Sequence, residues 1–497
     1  MLQKIKNHKL KKLIPIILSL LVIVGMLASC AKQESTETAE ETTTQAAQAV
    51  ASTADVSIDL EGATKVTLND TSITVDGSGA KADGSTLVIS AAGTYVLSGK
   101  LSDGRVVVDA DGENVTVVLN GADITCSYSS AIYVYNAKSA TVYLLEGSTN
   151  TLADGSTYTY KDSYSSEADE EPNACIYAKD DLVIAGSGSL NLTANFNNGI
   201  VSKDTLLIEN ASITLTAKNN GITGKDSLSV KKATLTVKAG GDALRSTNDT
   251  DSSLGYIVIA SSKLNLTAGE DGVQAQTYVS IASATMTIQS GGGNSATLSD
   301  DISAKGIKAE TDISIKGGTY KIDAADDAIH ANNNVNIASG TFTLETSDDG
   351  IHADNKLVID GGTLTITAHE GLEGTLITIN DGTMEINASD DGINAAQKLS
   401  GVTPTVTING GKLTIKMGQG DTDAIDSNGN IIINGGTINI TGQSAFDYDG
   451  TGELNGGTVY VNGEQITQMT NQFGGGMQGG MQGGPGGGMQ GGPGGRG

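Results

Sequence analysis

The chain has 497 residues, of which 57 are acidic and 30 are basic, and its formal net charge at pH 7 is −27. Such a surface repels nucleic acid, which proteins normally meet with lysine and arginine, so we exclude a nucleic-acid partner. It also repels polyanionic sugars, unless a divalent cation lies between the two.

The first 29 residues have the pattern of a secretory signal. A basic run in residues 4–12 precedes an apolar stretch in residues 13–27, and together these make the charged and apolar regions of a signal peptide. The ending Leu27-Ala28-Ser29-Cys30 resembles a bacterial lipobox, which implies cleavage before Cys30 and a lipid on its sulfur. A plain signal peptide or a membrane anchor is the alternative. We therefore expect an extracellular protein, lipid-anchored to the cell membrane through Cys30.

Two segments lack the large apolar side chains that a core needs. Residues 30–55 are rich in Thr, Glu, Gln and Ala, and residues 471–497 are rich in Gly, Met and Gln. We predict a disordered spacer for the first and a disordered tail for the second. Between them, residues 56–465 are predicted to form the folded domain.

A small residue returns at a nearly constant interval along this domain. Most gaps are 21 to 24 residues; the first is two intervals long, and three others predict insertions near 246–255, 291–300 and 396–403. Self-similarity at such a period indicates a stacked repeat architecture. The small residues are Ala131, Cys175, Gly199, Gly221, Ala243, Gly272, Gly306, Ala328, Gly350, Gly371, Gly392, Ala424 and Ala445.

Each repeat offers three short strands separated by tight turns, as in residues 329–331, 335–337 and 342–344. A single coil cannot bury its inward Ile, Val and Leu, whereas stacked coils form one continuous apolar column. Parallel crossovers are right-handed in nearly all proteins. The sequence therefore predicts an all-β fold, a right-handed parallel β-helix of about 14 coils with a β-rich N-terminal cap. The consensus of a leucine-rich repeat and the nonapeptides of a calcium β-roll are both missing.

Stacking turns the residue before each small one into a column, and this column is acidic in five consecutive coils. Carboxylates about 4.8 Å apart would repel one another by roughly 3 kcal/mol at an effective dielectric near 20. A Ca²⁺ ion, which takes six to eight oxygens, relieves this repulsion. The alternative is a solvated acidic edge whose Asp side chains cap backbone amides. We favour calcium.

The residue two positions after each small one should face outward and form a second column. His330 and His352 lie in it and are a candidate zinc pair, but their oxygen-rich surroundings favour calcium. We interpret His330, His352, Glu373 and Asn394 as sugar-contacting residues, with a merely stacked surface role as the alternative for the histidines. The column runs through Arg245, Gln274, Lys308, His330, His352, Glu373, Asn394 and Asp426.

Three further features have two interpretations each. Lys305 and Lys308 interrupt the acidic columns and serve either as charge partners, which we favour, or as a base near a metal. The eight tyrosines between Tyr128 and Tyr177 form either a sugar-stacking platform or loop packing over the first coils. Cys126 and Cys175 either pair or, as we favour, remain small buried thiols.

Several stretches of the domain carry a resemblance to a known family. They include residues 93–99, 119–121, 173–176 and 180–182, and then Asp-Asp-Gly-Ile-His-Ala-Asp at 348–354. On these stretches the domain resembles a bacterial carbohydrate-binding β-helix family that binds cellulose and acidic sugars. The resemblance implies a calcium-containing β-helix similar to pectate lyases, with sugar binding and no established cleavage. It also implies a set of calcium ligands, namely Asp326, Asp327, Asp348, Asp349, Glu370, Asp390 and Asp391.

Three functions follow from these observations. We favour a monomeric, non-catalytic lipoprotein that binds polysaccharide, such as polygalacturonate or cellulose, through calcium. The alternative is a calcium-dependent polysaccharide (pectate) lyase with Lys305 or Lys308 as the base. A structural spike with no sugar ligand is the third, and it predicts no binding at all.

Overall fold

The computed structural model describes residues 55–299, 301–419 and 422–471. The predicted signal at 1–29, the lipidation site Cys30, the spacer up to residue 54 and the tail from residue 472 lie outside these residues. The predictions for them are therefore untested.

Within the described ranges the chain forms 43 strands, and no helix occurs there. Consequently no described helix is long and apolar enough to cross a membrane. The first strands are β1 (Thr64–Asp70), β2 (Ser72–Asp76), β3 (Ala80–Asp83), β4 (Thr86–Ile89), β5 (Gly93–Leu101), β6 (Arg105–Asp109), β7 (Asn114–Cys126), β8 (Ile132–Asn136), β9 (Ser139–Leu144) and β10 (Thr149–Asp154).

The middle of the domain continues this series with shorter strands and regular spacing. These are β11 (Ala174–Ala178), β12 (Asp181–Ala185), β13 (Ser189–Ala194), β14 (Asn198–Ser202), β15 (Thr205–Glu209), β16 (Ser212–Ala217), β17 (Ile222–Gly224), β18 (Ser227–Lys231), β19 (Thr234–Ala239), β20 (Leu244–Ser246), β21 (Tyr256–Ala268), β22 (Val273–Ala275), β23 (Val279–Ser290), β24 (Ile307–Ala309), β25 (Asp312–Ile315) and β26 (Thr319–Ala324).

The last part of the domain contains the acidic repeats and ends in a short antiparallel pair. Its strands are β27 (Ile329–Ala331), β28 (Asn334–Ile337), β29 (Thr341–Thr346), β30 (Ile351–Ile359), β31 (Thr363–Ala368), β32 (Leu372–Ile379), β33 (Thr383–Ala388), β34 (Ile393–Ala395), β35 (Thr405–Ile408), β36 (Lys412–Met417), β37 (Asp423–Ser427), β38 (Asn430–Ile433), β39 (Thr437–Thr441), β40 (Ser444–Tyr448), β41 (Gly452–Leu454), β42 (Thr458–Val461) and β43 (Glu464–Ile466).

Parallel pairing arranges these strands in three columns. One column runs from β8 through β11, β14, β17, β20, β22, β24 and β27 to β30, β32, β34, β37 and β40. We call it the site column. It continues strands β4 and β6, since β4 pairs with β6 and β6 pairs with β8. The second and third columns both continue from the long strand β7, which pairs with β9 and with β10. The second then runs from β9 to β12, and the third from β10 to β13. Antiparallel pairs occur near the ends, β1 with β2, β3 with β4, and β42 with β43. The predictions of an all-β chain and of parallel stacking are confirmed for the described residues.

Most of the core is one apolar cluster that extends from Val66 to Val459, and a small second cluster contains Tyr133, Ala174 and Tyr177. In the third column the strands alternate buried and exposed residues, as in Ser212–Ala217, which is the pattern of a strand with one wet face. In the site column, Ile329 and Ile351 are completely buried. The inward direction predicted for the Ile that follows each small residue is therefore confirmed.

The small residue in each repeat is required by a close approach between coils. A Cβ atom added to Gly350 would lie 2.4 Å from Cγ2 of Ile366 and 2.5 Å from the carbonyl oxygen of Gly371. At Gly350 even the methyl group of Ala would not fit without displacing the next coil. The repeat's spacing therefore marks the point where each coil turns toward the site column.

The three predicted insertions appear as segments between strands, after β20, β23 and β34. Cys126 and Cys175 are buried and unpaired, so the prediction of two free thiols is confirmed.

Candidate functional site

The outward positions of the site column lie in one continuous register, as predicted. Lys308 pairs with His330, His330 with His352, and His352 with Glu373. The same register continues through Asn394 to Asp426. These side chains therefore stand one coil apart, about 4.8 Å per step, on one face of the molecule.

An oxygen-only cluster lies at the start of the acidic repeats. Asp326, Asp327 and Asp348 each bring a carboxylate oxygen within 4.8 Å of the others. Asp327 is buried, whereas Asp348 is exposed. Asp326 and Asp348 also line a cavity of about 390 Å³, whose other wall is formed by residues 296–299 and Ile302 of the insertion. We call these three residues the oxygen cluster.

Lys305 is the charge partner of this cluster. Its Nζ lies 2.6 Å from Oδ1 of Asp326 and 2.9 Å from Oδ2 of Asp327. Burial disfavours the charged ammonium, but the two carboxylates outweigh burial and raise the pKa of Lys305. The same contacts help to hold the pKa of Asp327 well below its usual range, against the burial that opposes ionisation.

A second cluster one coil further along contains both nitrogen and oxygen donors. Nδ1 of His352 lies 2.9 Å from Oδ2 of Asp349 and 2.9 Å from Oε2 of Glu373. Burial opposes protonation of His352, but the two carboxylates outweigh it and raise its pKa to about 10. Burial and the charges of Asp327 and Glu373 raise the pKa of Asp349 to about 8. We call Asp349, His352 and Glu373 the mixed cluster.

His330 joins the two clusters. Its Nδ1 lies 2.6 Å from Oδ2 of Asp327, and its ring centroid lies 4.5 Å from that of His352. Asp327, His330 and His352 also meet within 4.8 Å. Both histidines are thus largely enclosed by protein groups, and their sugar-contacting role is a prediction that the geometry leaves untested.

The remaining predicted ligands do not join either cluster. Within the part of the chain that the structure describes, no group of three close ligand atoms includes Glu370, Asp390 or Asp391. Glu370 accepts a hydrogen bond of 2.9 Å from Asn394. Burial and neighbouring carboxylates raise the pKa of Glu370 to about 7 and that of Asp391 to about 6. The seven residues therefore form no single site.

Sequence reasoning missed Lys398, whose Nζ lies 2.7 Å from Oε1 of Glu373. Lys398 belongs to the insertion after β34, so no periodic position marks it. Glu373 was interpreted as a sugar contact, whereas the structure places it inside the mixed cluster.

The tyrosines of the first coils are buried or half-buried, and several of them pack against one another. Tyr133 and Tyr177 are buried, and their ring centroids lie 5.6 Å apart. Tyr164, from the segment before β11, lies 5.2 Å from Tyr135. Loop packing over the first coils is the interpretation that these contacts support.

Lys308 is the second candidate base. Its Nζ lies 3.4 Å from Oε1 of Glu310.

Comparison with known proteins identifies one family. The family described as carbohydrate-binding domain-containing protein matches residues 83–350 and 348–472. A protein of that description from Acetivibrio thermocellus is 37% identical over 126 residues, which are 25% of this chain and 43% of the relative. The alignment thus spans less than half of the relative's length.

One solved structure with a similar sequence is a gadolinium derivative of a polysaccharide lyase-like protein from C. thermocellum. It is 31% identical, and the match covers 46% of this chain and 92% of the other, with a TM-score of 0.44.

Proposed function

The chain belongs to the family of carbohydrate-binding domain-containing proteins, and from this membership we propose that it binds polysaccharide on the outward face of the site column. The observation that carries the proposal is the oxygen cluster, where carboxylates from consecutive coils meet beside a cavity of about 390 Å³. A cavity of that size accommodates part of a sugar chain.

The residues of the oxygen cluster fit a calcium ion. Asp326, Asp327 and Asp348 supply only oxygen donors, which is the donor type that Ca²⁺ takes. A bound cation would neutralise them and would attract the carboxylates of an acidic sugar. Lys305 now holds two of the three carboxylates, so calcium would share or replace that contact. We therefore propose calcium-mediated binding of acidic polysaccharide, such as polygalacturonate, with cellulose as the neutral candidate.

We propose that the three columns wind as a right-handed β-helix of about 14 coils, because parallel crossovers have that hand in nearly all proteins. We also propose that the domain is a monomer tethered outside the cell through a lipid on Cys30. The signal-like pattern of the first 30 residues supports this extracellular location.

The proposed activity is binding without cleavage. A lyase would need a neutral amine beside the metal to remove a proton. Lys305 instead pairs with two carboxylates, and its pKa is raised. These contacts support Lys305 as a charge partner. Lys308 also has a carboxylate partner, Glu310, which supports the same role for Lys308.

The test is co-sedimentation of the purified protein with insoluble polygalacturonate or cellulose, in calcium or in EDTA. We expect calcium-dependent binding to polygalacturonate, weakened by Asp348→Asn. Asp449→Asn is the matched control, because Asp449 is also exposed but lies outside the clusters. Equal binding in EDTA would contradict the role of calcium. Release of unsaturated sugars would instead establish the lyase alternative. Binding to neither polymer would favour the third function, a structural spike with no sugar ligand.

A further inference from the structure

A second cavity lies on the site column, before the acidic repeats. Its volume is about 220 Å³, and its lining includes Tyr177, Val201, Thr223 and Arg245. These four residues occupy the same outward register as the histidines of the acidic repeats. In the strand register, Arg245 is followed by Gln274, Lys308 and His330 in the next three coils. Arg245 and His330 are therefore three steps, or about 14 Å, apart along the column. This cavity therefore lies on the same strand face as the two histidines.

This cavity differs from the acidic repeats in charge. Its lining contains Lys203, Lys225 and Arg245 against Asp169 and Glu171, although acidic residues outnumber basic ones nearly two to one in the whole chain. We call it the cationic cavity. Such a concentration of positive charge in an acidic protein favours an anionic ligand.

Both carboxylates of the cationic cavity have partners of their own. Glu171 pairs with Lys203 and lies 3.0 Å from Nζ of Lys179. These two lysines outweigh the effect of burial and lower the pKa of Glu171. Asp169 accepts a hydrogen bond of 2.7 Å from the hydroxyl of Ser166. Neither carboxylate neutralises the other two cations.

Lys225 and the terminal nitrogens of Arg245 are the positively charged groups that remain available. Lys225 is half-buried, and it makes no ion pair within residues 55–299, 301–419 and 422–471. Arg245 contacts Asp242 through Nε, 3.3 Å from Oδ2. In the same described ranges its terminal nitrogens have no hydrogen-bond partner. A guanidinium uses these nitrogens to hold a carboxylate in a forked, two-bond geometry.

We propose that the cationic cavity binds the carboxylate of one uronic acid unit directly, without a metal ion, through Lys225 and Arg245. The volume lies below the roughly 300 Å³ at which pockets for drug-sized ligands begin, so it suits a single sugar ring of a longer chain. This inference deepens the proposed polysaccharide binding and rests on it. An acidic polysaccharide would then have a metal-free contact here and a metal-bridged contact at the oxygen cluster.

The test is calorimetric titration of the whole protein in EDTA, which removes calcium and therefore any contact that a calcium ion bridges. The probes are trigalacturonate and, as the neutral counterpart, cellotriose. We expect the wild type to bind trigalacturonate and not cellotriose. Lys225→Met and Arg245→Gln should each weaken binding about tenfold, the loss of one charge-assisted contact. Lys238→Met is the matched control, because Lys238 is an exposed lysine of the third column. Melting temperatures of all variants verify that each is folded.

Two results would overturn the inference. One is equal affinity of trigalacturonate for the wild type and for both cavity variants, and the other is equal binding of cellotriose. Co-sedimentation with polygalacturonate in calcium separates the two proposals. One outcome is that calcium-dependent binding persists while binding of trigalacturonate in EDTA is the same for the wild type and Lys225→Met. In that case the cationic cavity is rejected and the proposed function stands. If trigalacturonate binding in EDTA depends on Lys225 while calcium has no effect, the calcium proposal is rejected and the cavity stands.

Discussion

The Oδ1 atom of Asp327 accepts a hydrogen bond of 3.0 Å from the backbone N–H of Asp349, one coil further along. The same bond joins Asp391 to the N–H of Asp423 at 2.9 Å. Each of these two carboxylates therefore uses one oxygen to satisfy the backbone of the next coil. At Asp327 the other oxygen contacts Nζ of Lys305 and Nδ1 of His330.

The negative charge of this column is not needed for that bond. Asn198 accepts the N–H of Asn220, and Asn220 accepts the N–H of Asp242 at 2.9 Å. An amide oxygen thus serves the fold as well as a carboxylate does. Because carboxylates repel one another at this spacing, their concentration in the later coils indicates a role for charge beyond the fold.

Asp391 allows the structural and the electrostatic role to be separated. Asp391→Ala removes the acceptor and should lower the free energy of unfolding by about 1–2 kcal/mol, because the N–H of Asp423 loses its hydrogen bond to this carboxylate. Asp391→Asn retains the acceptor and removes a charge that burial disfavours, so it should match or exceed the wild type. Urea unfolding at pH 7.5 in EDTA measures both. Equal losses in the two variants would show that the hydrogen bond is unimportant.

Lys305 should stabilise the fold only while no other cation is present. Lys305→Met leaves Asp326 and Asp327 without their ammonium partner and should cost about 2–4 kcal/mol, as when one member of a buried ion pair is removed. Calcium should recover most of this loss if it binds the oxygen cluster. Denaturant unfolding with and without calcium tests this.

Lys308→Met is the comparison for that experiment. Among the residues that the structure describes, Lys308 forms an ion pair with a single carboxylate, that of Glu310 at 3.4 Å. We expect a cost below about 1 kcal/mol, as for an ion pair near the surface. If the two lysine variants lose equal stability, the special position of Lys305 is refuted.

Asp426 should make stability fall as the pH rises. Burial and the charges of Asp391, Asp447 and Asp423 raise its pKa to about 7, so the folded state holds a proton that the unfolded state releases near pH 4. The stabilising contribution is full below about pH 4 and is lost as the pH rises through about 7.

Asp426→Asn should abolish this loss. At pH 8 in EDTA the variant should be more stable than the wild type by about 1–2 kcal/mol, after allowance for the partly exposed position. At pH 4 the two should agree. Thermal unfolding at the two pH values is the measurement, and a wild type that gains stability from pH 4 to pH 8 relative to the variant would contradict the shifted pKa.

The repeat made the fold predictable. Each period contains a small residue, then an inward apolar residue and then an outward residue, as Gly350, Ile351 and His352 do in their coil. The columns follow from that period, and the register of β24, β27 and β30 confirms them. The period cannot show what insertions contribute. Lys398 reaches Glu373 from such a segment.

The cationic cavity was missed for a similar reason. Glu171 comes from the long segment before β11, and Lys203 follows β14, yet the two form an ion pair. Their contact depends on how an irregular segment folds back, and no spacing in the sequence records that. The capping role of the acidic column was stated as an alternative to calcium binding, whereas Asp327 shows that one carboxylate can cap the backbone while its second oxygen remains at the site.

The two clusters should separate calcium from zinc. The oxygen cluster offers carboxylates alone, whereas the mixed cluster adds the imidazole of His352, and imidazole is a donor that zinc prefers and calcium does not. Calcium at 100 times its dissociation constant should raise the free energy of unfolding by about 2.7 kcal/mol. Asp348→Asn should remove most of that gain, while His352→Gln leaves it intact. For zinc we expect the opposite pattern. Thermal unfolding of the three proteins with each metal is the measurement, and loss of the calcium effect in His352→Gln would place calcium in the mixed cluster instead.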